Sequence, residues 1–209
     1  MNSMMDIITS FIIAGMLGLI VIQTDANVKS SSIALQRDIR TQDQMKMVSD
    51  MISWEFRKIG HCLQDKYMNP KDPTNFKAIT LADSSHIKFS YFDNPRAVPG
   101  VSAFVSDSIA VEYLLSSDDT DTPNPYDKKL VRRVNGQYHA GYSLGLTRFR
   151  LQYYNKQGTE LTTPVVSDSL PRIRSIRITY QIESREPFKN EYSKFMYVTR
   201  ITPKNLLGI

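Results

Sequence analysis

"MKMVSDMISWEFRKIG" (Met45–Gly60) is the stretch that decides how this chain folds. Met45, Val48, Ile52, Phe56 and Ile59 recur in steps of three and four, the spacing of one face of an α-helix. Gly60 supplies a stop signal, because glycine readily takes the left-handed backbone that ends helices. A helix with one apolar stripe needs a second layer to bury it. Toward the N-terminus the helical pattern runs back to Val28 without Pro or Gly, but its apolar face thins to Ile39, Leu35 and Val28, with Ser30, Ser31 and Ser32 intervening. That part of the helix is predicted to be less covered than Met45–Ile59.

Further back lies "MMDIITSFIIAGMLGLIVIQ" (Met4–Gln23). From Ile7 to Ile22 every residue is apolar, small or hydroxylated, a run of about 24 Å as a helix against a hydrocarbon core of about 30 Å. Residues 1–6 contain no Lys or Arg and no A-x-A site follows, so the segment reads as a retained anchor rather than a signal peptide. A buried core helix is the competing reading. Nothing between Met4 and Gly60 forces a break, and one continuous helix of roughly 80 Å is predicted, with Gly15–Gly18 its weakest point. Asp6 sits at the front of the apolar run, where a carboxylate costs a few kcal/mol if it enters hydrocarbon (about 2.5–3.5 at a helix centre).

Toward the C-terminus, "NPKDP" (69–73) punctuates, and period-two alternation follows. Strands are predicted over 86–92, 108–115, 128–134, 146–154, 172–182 and 194–201. Asn135–Gly136 is a two-residue hairpin signal, and the step from Ile173 to Ile176 suggests a bulge. Sequential strands joined by short turns argue for an antiparallel sheet. The fold class is therefore α+β: a long N-terminal helix, apolar in its first half and amphipathic in its second, packed on an antiparallel sheet. The predicted divisions are 1–27, 28–63 and 64–209.

Composition narrows the chemistry. At 41% hydrophobic and 22% charged residues, the chain after its anchor is long enough for one folded domain. The single cysteine, Cys62, excludes an intrachain disulfide. The net charge of +5 is uneven: residues 1–127 hold 11 basic and 16 acidic side chains, residues 128–209 hold 15 and 5. A basic half offers Arg132, Arg133, Arg172, Arg174 and Arg177 as contacts for nucleic acid or an anionic surface. Basic residues alternating with apolar ones are equally what the solvent side of a sheet carries. Asp118, Asp119, Asp121 and Asp127 cluster in a loop that could hold Ca²⁺ weakly, although the spacing is not that of an EF-hand and a solvated acidic loop is the simpler reading. His61, His86 and His139 have no metal-ligand spacing, so no metal or other cofactor is expected. No G-x-S-x-G, P-loop or Rossmann glycine pattern occurs, and an enzyme is not expected.

The order of these parts resembles a type IV minor pilin or type II secretion pseudopilin. "WEFRKIGHC" (54–62) resembles the D-x-R-x-A-G-x…C stretch at the helix end in minor pilins of the PilW kind and pseudopilins of the GspJ kind. "HIKFSYFD", "SIAVEYLL" and "KLVRRVNG" resemble that family's strand, strand and L-x-R-x-x-x-G hairpin. "LTRFRLQYYNKQGTEL" resembles its V-x-x-F-x-x-x-Y…G strand, and "PRIRSIRITYQIES" with "YVTRITPKNL" resembles its last strands and terminal R-N-L. The family's basic leader ending in Gly, and its opening Phe, are missing from residues 1–6.

The resemblance implies a structural subunit of a cell-envelope filament or its initiating tip, acting by association with other pilin or pseudopilin subunits and with inner-membrane assembly proteins. It implies a bacterial inner-membrane, single-pass location with the C-terminal domain periplasmic or in the filament. Lys29, Arg37 and Arg40, just after the apolar helix, would by themselves favour the opposite orientation. Asp6 stands where the family keeps a Glu thought to pair with a neighbour's N-terminal ammonium. The alternative is an acid facing headgroups, favoured by the helix dipole. A membrane-anchored module that binds DNA or a surface through the basic half is the second functional expectation, and a membrane-anchored enzyme or sensor the third.

Overall fold

The computed structural model describes residues 2–61, 77–92, 108–116 and 122–206. Cys62, Asn69–Pro73, Asp118, Asp119 and Asp121 lie outside the described residues. The order is helix α1 (Asn2–Phe56), then strands β1 (Ile79–Ala82), β2 (His86–Phe92), β3 (Ser108–Leu115), β4 (Lys128–Val134), β5 (Gln137–Tyr154) and β6 (Glu160–Leu161), a 3-10 turn at Ser167–Arg172, β7 (Ser175–Glu183), β8 (Lys194–Ile201) and a short 3-10 turn at Lys204–Leu206. The fold is α+β. Contacts divide the chain into Met1–Arg40 and Thr41–Ile209.

The first unit is helix alone. It runs unbroken through Gly15 and Gly18. It is long and apolar enough to cross a membrane: its most apolar stretch has a mean hydropathy of 2.3, and none of that stretch is buried. The hydroxyls inside it are satisfied locally. Thr9 Oγ1 donates to Met5 O, Ser10 Oγ to Asp6 O and Thr24 Oγ1 to Ile20 O, each at 2.8 Å. Such back-bonding is how a helix hides hydroxyls from an apolar medium. Val28, Ile33, Leu35 and Ile39 are also exposed.

In the second unit the helix meets the sheet. Val48, Ile52, Phe56 and Ile59 are buried, and Met45 and Met51 pack at the margin. α1 ends at Phe56, four residues short of the glycine stop, and residues 57–61 continue as turns. Gly60, with φ +71°, closes those turns, and its N–H donates to Ser90 O at 3.1 Å. The helix end is thus fastened to β2.

All strand pairs are antiparallel, in the order β1-β2-β3-β4-β5-β7-β8, with β6 paired to β5. Alternation places Ile87, Phe89, Tyr91, Val111, Tyr113, Leu130, Phe149, Leu151, Tyr153, Ile176, Ile178, Tyr180 and Ile182 in the core. Phe56 sits among Phe89 and Tyr113, ring centroids 5.5 and 5.9 Å away. The Asn135–Gly136 hairpin forms, with φ +51° and +81°, the positive values its turn demands. β5 pairs β4 through its first half and β7 through its second, and the register shifts between Leu146 and Arg148. Gly145 makes the change possible: its φ is +71°, and a Cβ there would lie 2.4 Å from Glu183 O.

Two predicted strands need correction. The span 146–154 is the second half of a longer strand that begins at Gln137, directly after the Asn135–Gly136 turn. The span 172–182 begins later, at Ser175, because Pro171 and Arg172 belong to a 3-10 turn. Ile173 is still buried, but as the closing residue of that turn and not across a bulge.

Candidate functional site

Asp6 lies in the second turn of α1, beyond the first-turn N–H groups where the dipole acts most strongly on an acid. Its side chain is exposed and makes no hydrogen bond or ion pair among the described residues. It shares a shallow surface notch with Ile7, Ser10 and Phe11. Around it Ile7, Ile8, Phe11, Ile12 and Ile13 present apolar surface on every side of the helix. The local chemistry is one carboxylate on an uncovered greasy rod, one turn back from a phenyl ring.

The arginines that the sequence groups together separate in the structure. Arg132 is turned inward. Parity explains it: Leu130 and Arg132 share a face of β4, and that face meets the helix. Its Nε donates to both oxygens of Glu55 at 3.0 Å, and its Nη2 to Oε1 at 2.5 Å. Tyr113 Oη donates to the same carboxylate. Arg132 is therefore a structural cation and not an external anion contact. Glu55 is 3% exposed. Burial, then the adjacent Glu55 carboxylate, pushes the Tyr113 hydroxyl far up, and hydrogen bonding to Glu55 raises the Arg132 guanidinium. This triad joins the last turn of α1 to β3 and β4.

Glu55 is absent from the sequence expectations although a signal existed. It lies three residues after Ile52 and four before Ile59, within the apolar stripe, where a charged residue must find a partner. The partner is 77 positions away and carries no local signature.

Arg133 points the other way and meets Glu112 Oε1 at 3.7 Å, beside His86 Nε2, which is 2.7 Å from the same oxygen. Arg172 and Arg174 come together with Asn155, Lys156 and Gln157 around one concavity. Arg174 is positioned by Nη1 donation to Pro171 O at 2.7 Å and Ile173 O at 3.0 Å. Arg177 stands exposed on β7, directly opposite Arg200 of β8.

Asp127 is buried at 1% exposure, close in sequence to Asn124, which donates through Nδ2 to Ser184 O at 3.2 Å and to Glu183 Oε2 at 3.4 Å. Glu183 also receives Lys194 Nζ at 3.3 Å and Gln181 Nε2 at 2.9 Å. Asp127 thus lies in the interior and not on a solvated loop. Among the described residues no three His, Cys, Asp or Glu side chains converge to hold a metal ion. Compared with protein-family models, curated proteins and solved structures, the chain matches none.

Proposed function

We propose that this protein is a membrane-anchored assembly subunit of the minor pilin or pseudopilin kind, acting by subunit association and not by catalysis. The observation that carries the reading is the first part of α1: apolar around its whole circumference from Ile7 to Ile22, uncovered, and bearing a single carboxylate near its front. Such a surface is stable only in lipid or against other helices. A helix needed solely as an anchor gains little from Asp6, which lies beyond the first turn where the dipole favours an acid most, whereas a helix that must register against a neighbour gains an ion pair worth making in that environment. In this reading the β domain stands on the far side of a bacterial inner membrane, the partners are similar subunits and their membrane assembly proteins, and Asp6 takes a neighbour's N-terminal ammonium.

The test is Asp6→Ala, Asp6→Asn and Asp6→Glu in the full chain, read by co-purification of the tagged subunit with its membrane partners. Removing one member of a buried pair costs about 3–5 kcal/mol, enough to abolish recovery of partners. Membrane insertion of the Ala variant stays intact, because Ala is no worse than Asp in a spanning helix. Asp6→Glu retains recovery and Asp6→Asn is intermediate. Equal recovery of partners by wild type and Asp6→Ala would refute the assembly role of Asp6.

A further inference from the structure

The face of the sheet turned away from α1 is built from the alternate residues of β5, β7 and β8. Strand register fixes which side chains share it. Tyr154 pairs with Ser175, Gln152 with Arg177, Arg150 with Thr179 and Arg148 with Gln181, and on the next strand Arg177 pairs with Arg200. Arg148, Arg150, Arg177 and Arg200 are all exposed. At the end of the same strands, Lys156, Arg172 and Arg174 line the concavity beside Asn155.

Two features set this array apart from an ordinary solvated sheet face. Two like charges directly opposite across strands are destabilising, and Arg177 against Arg200 is such a pair. Five of the charges are also without a side-chain partner among the described residues. Arg148, Arg150, Lys156, Arg172 and Arg177 make no ion pair or hydrogen bond among the described residues. Of the acids nearest in register, Glu183 is buried and held by Lys194, Gln181 and Asn124, while Glu160, which accepts from Gln152 Nε2 at 2.8 Å, makes no ion pair with these arginines among the described residues. Arg200 is already posed. Its Nε donates to Ser175 Oγ at 2.9 Å and its guanidinium lies 4.4 Å from the Tyr154 ring centre, which leaves both Nη groups for an external acceptor.

We infer that this face binds the phosphate backbone of a nucleic acid. From Arg174, just before β7, to Gln181 within it the array is about 23 Å long, since extended chain rises roughly 3.3 Å per residue. That length matches a run of about seven phosphates on one strand of a duplex, at 3.4 Å of axis each. A long narrow array of forked guanidinium donors suits a linear polyanion better than a single small anion. Among the described residues the only aromatic side chain that register places among these arginines, Tyr154, is occupied by Arg200; they offer no free stacking platform, and binding is independent of base sequence.

The experiment uses the full chain in zwitterionic nanodiscs and fluorescein-labelled oligonucleotides of about 20 nucleotides, single-stranded and duplex, in two unrelated sequences. Arg150→Gln/Arg177→Gln is compared with wild type, with an unchanged thermal unfolding midpoint as the check on folding. Wild type binds both sequences equally and weakens steeply with salt. The double variant binds at least ~10-fold more weakly at about 0.1 M salt, and its log–log salt slope on single strands is shallower by roughly 1.4, the value for two lost phosphate contacts. Oligonucleotide binding that is absent, or equal in the variant, would overturn the assignment. So would capture of the nanodiscs by phosphatidylglycerol vesicles without oligonucleotide binding, which would make the face a lipid-docking surface instead. Asp6→Ala binds oligonucleotide like wild type, which separates this test from that of assembly.

Discussion

Replacing Glu55 by Leu, Arg132 by Met, and both together measures what the buried triad contributes. In the Leu variant Arg132 keeps its charge with a side chain 12% exposed and no other carboxylate paired to it among the described residues. In the Met variant Glu55 is left charged at 3% exposure with only the Tyr113 hydroxyl. Stranding one member of a buried pair costs about 3–5 kcal/mol. In a folded unit of this size, about 2–4 °C of melting temperature accompanies each kcal/mol, so each single variant melts roughly 6–20 °C lower. The double variant removes both charges and leaves apolar side chains of similar bulk. Its residual deficit is the orphaned Tyr113 hydroxyl, about 1–3 kcal/mol. The assay is unfolding of the full chain in non-ionic micelles, followed by near-ultraviolet circular dichroism of the buried tyrosines. If the two single losses simply add in the double variant, the side chains do not interact as a pair and the triad is not what fastens the helix to the sheet.

Ile52→Ala and Phe56→Ala each cost about 2–5 kcal/mol in the same assay, because both side chains are buried against the sheet; a loss below about 0.5 kcal/mol would place them on an exposed face. Gly145→Ala loses more than about 2 kcal/mol through its positive φ and its approach to Glu183 O, whereas Gly136→Ala, strained in φ but facing open space, loses about 1. Raising the pH above about 10 destabilises the protein, seen as a falling melting temperature. Tyr113 and Tyr153 have hydroxyls pushed up by burial, so in that range the unfolded chain releases protons that the folded one keeps; stability is full below about 10 and declines above it, and Tyr113→Phe flattens the decline.

Where structure follows from local alternation, it was legible in the sequence. The strands over 86–92, 108–115, 128–134 and 194–201 begin and end at the predicted residues, most plainly in 86–92, where apolar and polar side chains alternate from His86 to Tyr91. Ile79–Ala82 is too short to show a period. The first half of β5, "QYHAGYSL", carries few apolar residues because little of it is buried. Ile173 alternates in phase with nothing, being the end of a turn that Pro171 imposes. The site divides along the same line. Arg177 faces solvent, as a charged residue alternating with apolar ones on a strand is expected to do. Arg132 does not, because its direction depends on strand parity and on a glutamate that only the folded chain brings near.

The stripe Val48–Ile59 has a consequence for how the chain is made. The strands it packs on, among them β2 and β3 around Phe56, are all encoded after it, and Ile182 of the same core leaves the ribosome 126 residues later than Phe56. At about 5–20 residues per second the interval is roughly 6–25 s. For that time the nascent chain carries two adhesive segments in series, the apolar front of α1 and the naked stripe behind it. Prompt delivery of the front to lipid would remove the first hazard, leaving only the second to be shielded until β7 docks.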